Sequence, residues 1–284
     1  MKILNCILLF HVGFLCCYGQ IKKTYSFPGE YNRKSAQGMA IHKNSAFLLN
    51  NEGYCRIYDL KKKKLISEFD LASAGKENHA NSASFGADFP KGNKKYPAIY
   101  ISQCMAPSYC YVENITEKGS QLIQTLQIRS KGIEQYSCNW IVDSEQKYIY
   151  TMASLSGEID SIGTRIYLIT KLPLPPLDST SFVFTEKDIV DQFEILFPNL
   201  LQGGTIKNNY LYLPVGVHDY PGSESRKDKH RALIIVNLIT KQIERTIDIN
   251  DSVLEEPEDV DFYKNELLLY CGQEGGLYRL PVKE

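Results

Sequence analysis

"SAQGMAIHKNSAFLLNNEGYCRIYDLKKKKLISEFDL", residues 35–71, decides the fold. It reads as four short strands, "GMAIHKN", "SAFLLNN", "YCRIYDL" and "LISEFDL". Between them stand Lys-Asn-Ser, Asn-Glu-Gly and a run of lysines. Polar and glycine-containing turns between apolar runs are the punctuation of antiparallel hairpins. A four-stranded meander cannot bury both of its faces alone, so the unit must stack against others like itself.

The unit recurs along the chain. After His79 come "NSASFGADF", "AIYISQC", "YCYVENI" and "SQLIQTLQI". After Ser137 come "CNWIVDS", "KYIYTMAS", "RIYLITKL" and "SFVFTEK", with longer insertions between them. "GGTIKNN", "YLYLPVGV", "ALIIVNLI" and "QIERTIDI" follow Gln202, and "EDVDFYKN", "ELLLYCG" and "GLYRLPV" follow Pro257. The unit starts are about 55 residues apart, the spacing of propeller blades. The fifth unit is one strand short, and "KKTYSFPG" (residues 22–29) stands unpartnered before the first. The predicted fold is therefore an all-β propeller of five four-stranded blades whose N-terminal strand closes the last blade. Closure of this kind removes exposed sheet edges. Six blades is the rival count, if the long third unit conceals another hairpin. A doubly wound α/β chain needs helices between strands, and only "TEKDIVDQFEIL" (185–196) reads as one. A β-sandwich gives no reason for the repeat.

Residues 1–19 read as a secretory signal peptide: a basic start at Lys2, an apolar run from Ile3 to Leu15, and small residues before Gln20. A lipid anchor at Cys16 or Cys17 is the alternative. The expected domain is then 20–284, secreted or periplasmic, with cell-surface or lipid-anchored placement as a variant. No apolar run is long enough to span a membrane. The abundance of Tyr and Phe suits a pleated, half-buried surface. A net charge of −1 with interspersed signs argues against a nucleic-acid partner and leaves the run Lys61–Lys64 as a solvated turn. Beyond the leader, Cys55, Cys104, Cys110, Cys138 and Cys271 make an odd count, so no complete disulfide framework exists. Cys104 and Cys110 flank the loop "MAPSY" and are expected to pair across it in an oxidising compartment. No Cys or His pair has metal-ligand spacing.

The motif "QGMAI…GYCRIYDLKKKKLISEFDL" resembles blades of extracytoplasmic bacterial propellers. "HANSASFG", "PAIYISQC" and "LYLPVG" resemble uncharacterised secreted β-propellers of Bacteroidetes along most of the chain, a likeness that implies a fold and no reaction. The opening Gln-Gly is similar to the first blade of the glutaminyl cyclotransferase family. The second blade departs from it, because "HANSASFG" stands where that family has an acidic Gly-Glu-Gly type motif. Regucalcin and gluconolactonase-like propellers hold a divalent metal through Glu, Asn and Asp at the channel. That likeness implies Asn81, Asn139 and Glu258 as metal candidates, with calcium as a suitable oxygen-liganded cation.

In a propeller, residues just before each innermost strand ring one mouth of the channel. Here those are Gln37, His79, Asn81, Asn139, Gln202, Glu256, Glu258 and Asp259. Amides with a few acids make a hydrogen-bonding funnel for a polar small molecule, a carbohydrate or a protein partner. Gln37, His79, Asn81, Asn139, Gln202 and Glu258 are the expected ligand contacts. His79 and Glu258 are the candidate acid/base pair if the protein is a lactonase, hydrolase or cyclotransferase-like enzyme. Glu258 and Asp259 are adjacent, so only one is expected to face the channel. The loop from His218 and the insertion "SLSGEIDSIGTR" read as solvated, and a monomer is expected.

Overall fold

The computed structural model describes residues 21–26, 36–75, 78–105, 108–129, 136–155, 164–197, 200–217, 230–272 and 276–282. Residues 1–19, the expected signal peptide, and most of the loop that starts at His218 lie outside these residues. The first strand, β1 (Lys22–Ser26), precedes the first meander, β2 (Ala36–His42), β3 (Ser45–Asn50), β4 (Tyr54–Asp59) and β5 (Lys64–Asp70). The second comprises β6 (Ser82–Phe85), β7 (Ile99–Ser102), β8 (Cys110–Thr116) and β9 (Gly119–Ile128). The third begins with β10 (Tyr136–Asp143), β11 (Tyr148–Ser154) and β12 (Arg165–Pro173). After β13 (Ser181–Phe184) it is completed by β14 (Asp191–Phe197). The fourth is β15 (Thr205–Lys207), β16 (Tyr210–Val215), β17 (Ala232–Asn237) and β18 (Gln242–Asp248). The last holds β19 (Pro257–Tyr263), β20 (Glu266–Cys271) and β21 (Gly276–Arg279).

These form a five-bladed β-propeller. Five apolar clusters, one at each junction of neighbouring blades, complete the ring. Met39 and Leu48 of the first blade pack with Leu268 and Tyr270 of the fifth, just as Phe47 and Ile57 pack with Ile99 and Ile101 of the second. The remaining clusters join the second blade to the third, the third to the fourth and the fourth to the fifth. Because each blade is sandwiched, its central strands are buried on both faces, as in β3 and β20. An outer strand such as β5 is largely exposed.

The closure is as the sequence predicts. β1 lies antiparallel on β21, Lys22 opposite Arg279 and Tyr25 opposite Leu277, giving the sheet order β1-β21-β20-β19.

Two expectations in the third unit are corrected. "SFVF" is not the fourth strand there. It pairs in parallel with β9 of the second blade, Phe182 opposite Leu126, as an added fifth strand. The strap is held by Gln124, whose Nε2 donates to the carbonyls of Pro176 and Ser179 at 2.9 and 3.1 Å. Phe184 packs beside Trp140 at the junction of blades two and three. The stretch 185–196 is not a helix. Thr185 and Asp188 form the reciprocal capping contacts of a helix start, yet only one 3-10 turn follows (Glu186–Asp188). The chain then enters β14, where Phe193, Ile195 and Phe197 alternate with the exposed Glu194 and Leu196 in a strand period.

The expected Cys104–Cys110 bridge is also absent, and both are buried free thiols. The β7–β8 ladder sets Ser102 opposite Cys110 and carries on as Gln103 N–H donates to the Tyr109 carbonyl. That register turns Cys104 toward Ser108 and leaves it diagonal to Cys110, about 7–8 Å away by sheet geometry, beyond the Cα separation a disulfide tolerates. Among the described residues no helix is long and apolar enough to cross a membrane.

Candidate functional site

Each innermost strand (β2, β6, β10, β15 and β19) starts at the same end of the molecule, so the sequence-predicted residues do gather there. Gln37, Asn81, Asn139, Gln202 and Glu258 are all at most 6% exposed. Three of these strands carry a register break at this end: between Ala36 and Met39, between Tyr136 and Asn139, and between Pro257 and Asp259. Bulges re-aim side chains that a regular strand would alternate. Gln37 and Glu258 sit inside two of the breaks. Glu258 and Asp259, adjacent in sequence, lie at the last of these breaks. Both Glu258 and Asp259 are buried.

A hydrogen-bonded chain of amides links four blades. Asn81 Nδ2 donates to Asn139 Oδ1 at 2.9 Å, and Asn139 Nδ2 donates to the Gln202 carbonyl at 2.8 Å. Gln202 Nε2 then donates to Glu256 Oε1 at 3.1 Å and to the Gly216 carbonyl at 3.2 Å. His79 is half-buried. Burial lowers its pKa, while the nearby Glu256 charge acts in the opposite direction. Glu258 is fully buried; burial first, then Glu256 and Asp259, push its carboxyl well above the usual carboxylate range. Gln37 Oε1 is buried without a hydrogen-bond partner among the described residues.

Below the mouth, Asp259 occupies the axis. Its Oδ2 accepts the N–H of Met39 at 2.8 Å and of Ala83 at 3.1 Å; its Oδ1 accepts those of Gly204 at 2.6 Å and Val260 at 2.9 Å. One side chain thus binds the inner edges of blades one, two, four and five. Two residues on, Asp261 repeats the arrangement with Ile41 N–H at 2.6 Å, Phe262 N–H at 2.7 Å and the Thr205 hydroxyl at 3.1 Å. Inner edges carry N–H groups with no neighbouring strand to bond, and these two carboxyls satisfy them. The glycines after Gln37 and Gln202 follow from this crowding. A Cβ at Gly38 would lie 2.7 Å from the Ala80 carbonyl oxygen, and one at Gly203 would collide with the Asp259 carboxyl.

Asp261 and Cys104 were not anticipated at this site. Cys104 is a buried neighbour of Glu258, its thiol pushed up to about 12 by burial, with that carboxyl adding to the effect. The period-2 spacing of Asp259 and Asp261 was the available signal for the second axial acid. No group of three or more His, Cys, Asp or Glu able to hold a metal ion is found among the described residues. Asn139 Oδ1, one of the implied metal ligands, is already an acceptor for Asn81.

The mouth acids predict an unusual pH dependence. Burial raises Glu258 and Asp259 well above their ordinary values and Asp261 to about 6. For a raised group the stabilisation is complete below the unfolded-state pKa and is lost as pH rises through the folded one. Stability from these acids should therefore fall from about pH 4 upward. Glu258→Gln should raise the melting temperature at pH 8 by about 3 °C or more, on a scale of roughly 2–4 °C per kcal/mol for a chain of this size. Wild type and variant should converge near pH 4. Parallel melting curves at both pH values would contradict the assignment.

No family model and no curated protein matches the sequence. Among solved structures, Myxococcus xanthus glutaminyl cyclase matches with a TM-score of 0.49 and 10% identity, over 92% of this chain and 94% of that one. The computationally designed Ika8 protein matches with a TM-score of 0.40 and 9% identity, over 92% of this chain and 99% of that one. Neither likeness transfers an activity or a site.

Proposed function

We propose that the channel mouth binds a polar small molecule rich in hydroxyl or amide groups, a saccharide being the leading class, outside the cytoplasm. One observation carries the reading: Gln37 Oε1 is buried without a hydrogen-bond partner among the described residues, in the same ring of innermost-strand positions as the buried Glu258 carboxyl. Buried polar groups are nearly always satisfied, and a ligand that donates to this oxygen would supply the hydrogen bond that the protein's own groups do not. Glu258, whose carboxyl burial pushes toward the protonated form, would donate, and Gln37 Oε1 would accept. The amide chain from Asn81 to Gln202 would provide the rim. The extracytoplasmic setting rests on the leader-like residues 1–19.

A second reading, an acid/base enzyme, is favoured by the same Glu258. A carboxyl lifted by burial beside a second acid, with His79 near Glu256, has the protonation behaviour of a general acid. The two readings share residues and differ in turnover.

The test is a thermal-shift screen of the protein against neutral sugars, amino sugars and divalent cations. A ligand that binds the folded state alone must raise the melting temperature, by about 2.7 kcal/mol of stability at one hundred times its Kd. The expected result is a shift with a neutral hydroxylated ligand that disappears in Gln37→Ala and weakens in Glu258→Gln. A screen without shifts, or shifts that survive both substitutions, overturns the assignment to the mouth. Conversion of the ligand that gives the shift, abolished in Glu258→Gln, would favour the enzyme.

A further inference from the structure

The end of the propeller opposite the mouth holds a cleft of about 1130 Å³ between blades one and two. Its walls are hairpin turns that are far apart in sequence: the β2–β3 turn, the β4–β5 turn, the loop between β6 and β7, and the β8–β9 turn. Lys43, Lys62, Lys64, Lys94, Lys95 and Lys118 all line it, against two acids, Asp59 and Glu117. Lys95 is paired with Glu117, and Lys62 lies 4.0 Å from Asp59. Lys43, Lys64, Lys94 and Lys118 make no ion pair among the described residues and are exposed. A protein of net charge −1 therefore concentrates four uncompensated cations in one concavity. The lysine run that reads as a solvated turn by itself contributes two of the six once its neighbours are in place.

We propose that this cleft binds an anionic polysaccharide, a sugar chain bearing sulfate or carboxylate groups. Several features of the cleft point to that class. Its volume suits a ligand of several units rather than one inorganic anion, since whole small-molecule sites occupy about 300–1,000 Å³. Lysine offers a flexible point charge suited to charges spaced along a chain, whereas fixed planar recognition calls for arginine. Leu65, exposed, and the half-buried Ile66 line the concavity and give a sugar face an apolar wall to lie against, with Tyr96 buried beneath them. No exposed Phe, Tyr or Trp ring lines the cleft among the described residues, so it lacks the stacking platform that single-stranded nucleic acids use. The cleft and the channel mouth are at opposite ends, so this proposal does not depend on the reading of the mouth.

Binding of sulfated dextran, with uncharged dextran as its control, tests the proposal by calorimetry or fluorescence. Sulfated dextran is expected to bind and the uncharged polymer not to. With four lysines engaged and roughly 0.7 counterions released per contact, affinity should fall about 50-fold between about 50 and 200 mM salt. Lys43→Glu, Lys94→Glu and Lys118→Glu together should lower affinity at least tenfold, and the same three as glutamine should lower it by less. Lys187→Glu, an exposed lysine outside the cleft, should leave it unchanged. Equal binding of the two dextrans would overturn the proposal. So would an unchanged affinity in the triple variants, or tighter binding of a single-stranded oligonucleotide than of sulfated dextran.

Discussion

Replacing Asp259 by alanine is expected to leave no cooperatively folded protein. Four backbone N–H groups on four blades end on this one carboxyl, and three of them belong to strands distant from it in sequence. Removing the acceptor strands donors that are already out of contact with bulk water, at about 1–3 kcal/mol each. The sum, of order 4–12 kcal/mol, approaches the whole stability of an ordinary domain, about 5–15 kcal/mol. Water that enters the vacated space would recover part of it. Asp259→Asn keeps the volume and one oxygen but aims an NH2 group at two donors. That variant should fold with a markedly lower urea midpoint. Far-UV circular dichroism and urea titration of both variants check this, and an alanine variant melting within about 2 °C of wild type would show that the axis does not depend on the carboxyl. Asp261→Ala should be milder, since it loses two N–H donors and one hydroxyl.

The second large effect is expected from the closure. A chain that begins at residue 30 lacks β1, so the outer edge of β21 is left bare and the pairs from Lys22–Arg279 to Ser26–Gly276 are gone. It also loses the Lys23–Glu255 ion pair at 2.8 Å and the Lys23 ammonium over the Tyr278 ring. An exposed edge strand invites pairing with other chains. The truncated protein should melt at least about 10 °C lower and self-associate, and a synthetic peptide of residues 21–29 should restore both properties. Size-exclusion chromatography and differential scanning calorimetry with and without the peptide decide the matter. Unchanged melting of the truncated chain would mean that β1 is ornamental.

The architecture was legible because it repeats. A meander such as residues 36–70 has a local signature, and counting strands exposes the missing one without any knowledge of contacts. The third unit was misread because its signals are local while its pairing is not. "SFVF" has strand character wherever it goes, and nothing in four residues states that its partner is Leu126 rather than Tyr167. The capping contacts of Thr185 and Asp188 are real, but a cap initiates a helix without guaranteeing its length; the alternation of Phe193, Ile195 and Phe197 then prevailed. At the mouth, the position before each inner strand was enough to nominate Gln37, Asn81, Asn139, Gln202 and Glu258. The bulges that bury Glu258 and Asp259 together were not readable, because a register break depends on the facing strand. The lysine cleft was hidden for the same reason, its cations being spread from residue 43 to residue 118.

The two carboxyls on the axis have one further consequence. With Asp259 and Asp261 tying the inner edges of blades one, two and four to β19, the two ends of the propeller are held in one frame. The amide-lined entrance and the cationic hollow thus share their supports: β2 carries Gln37 at the one and His42 in the wall of the other.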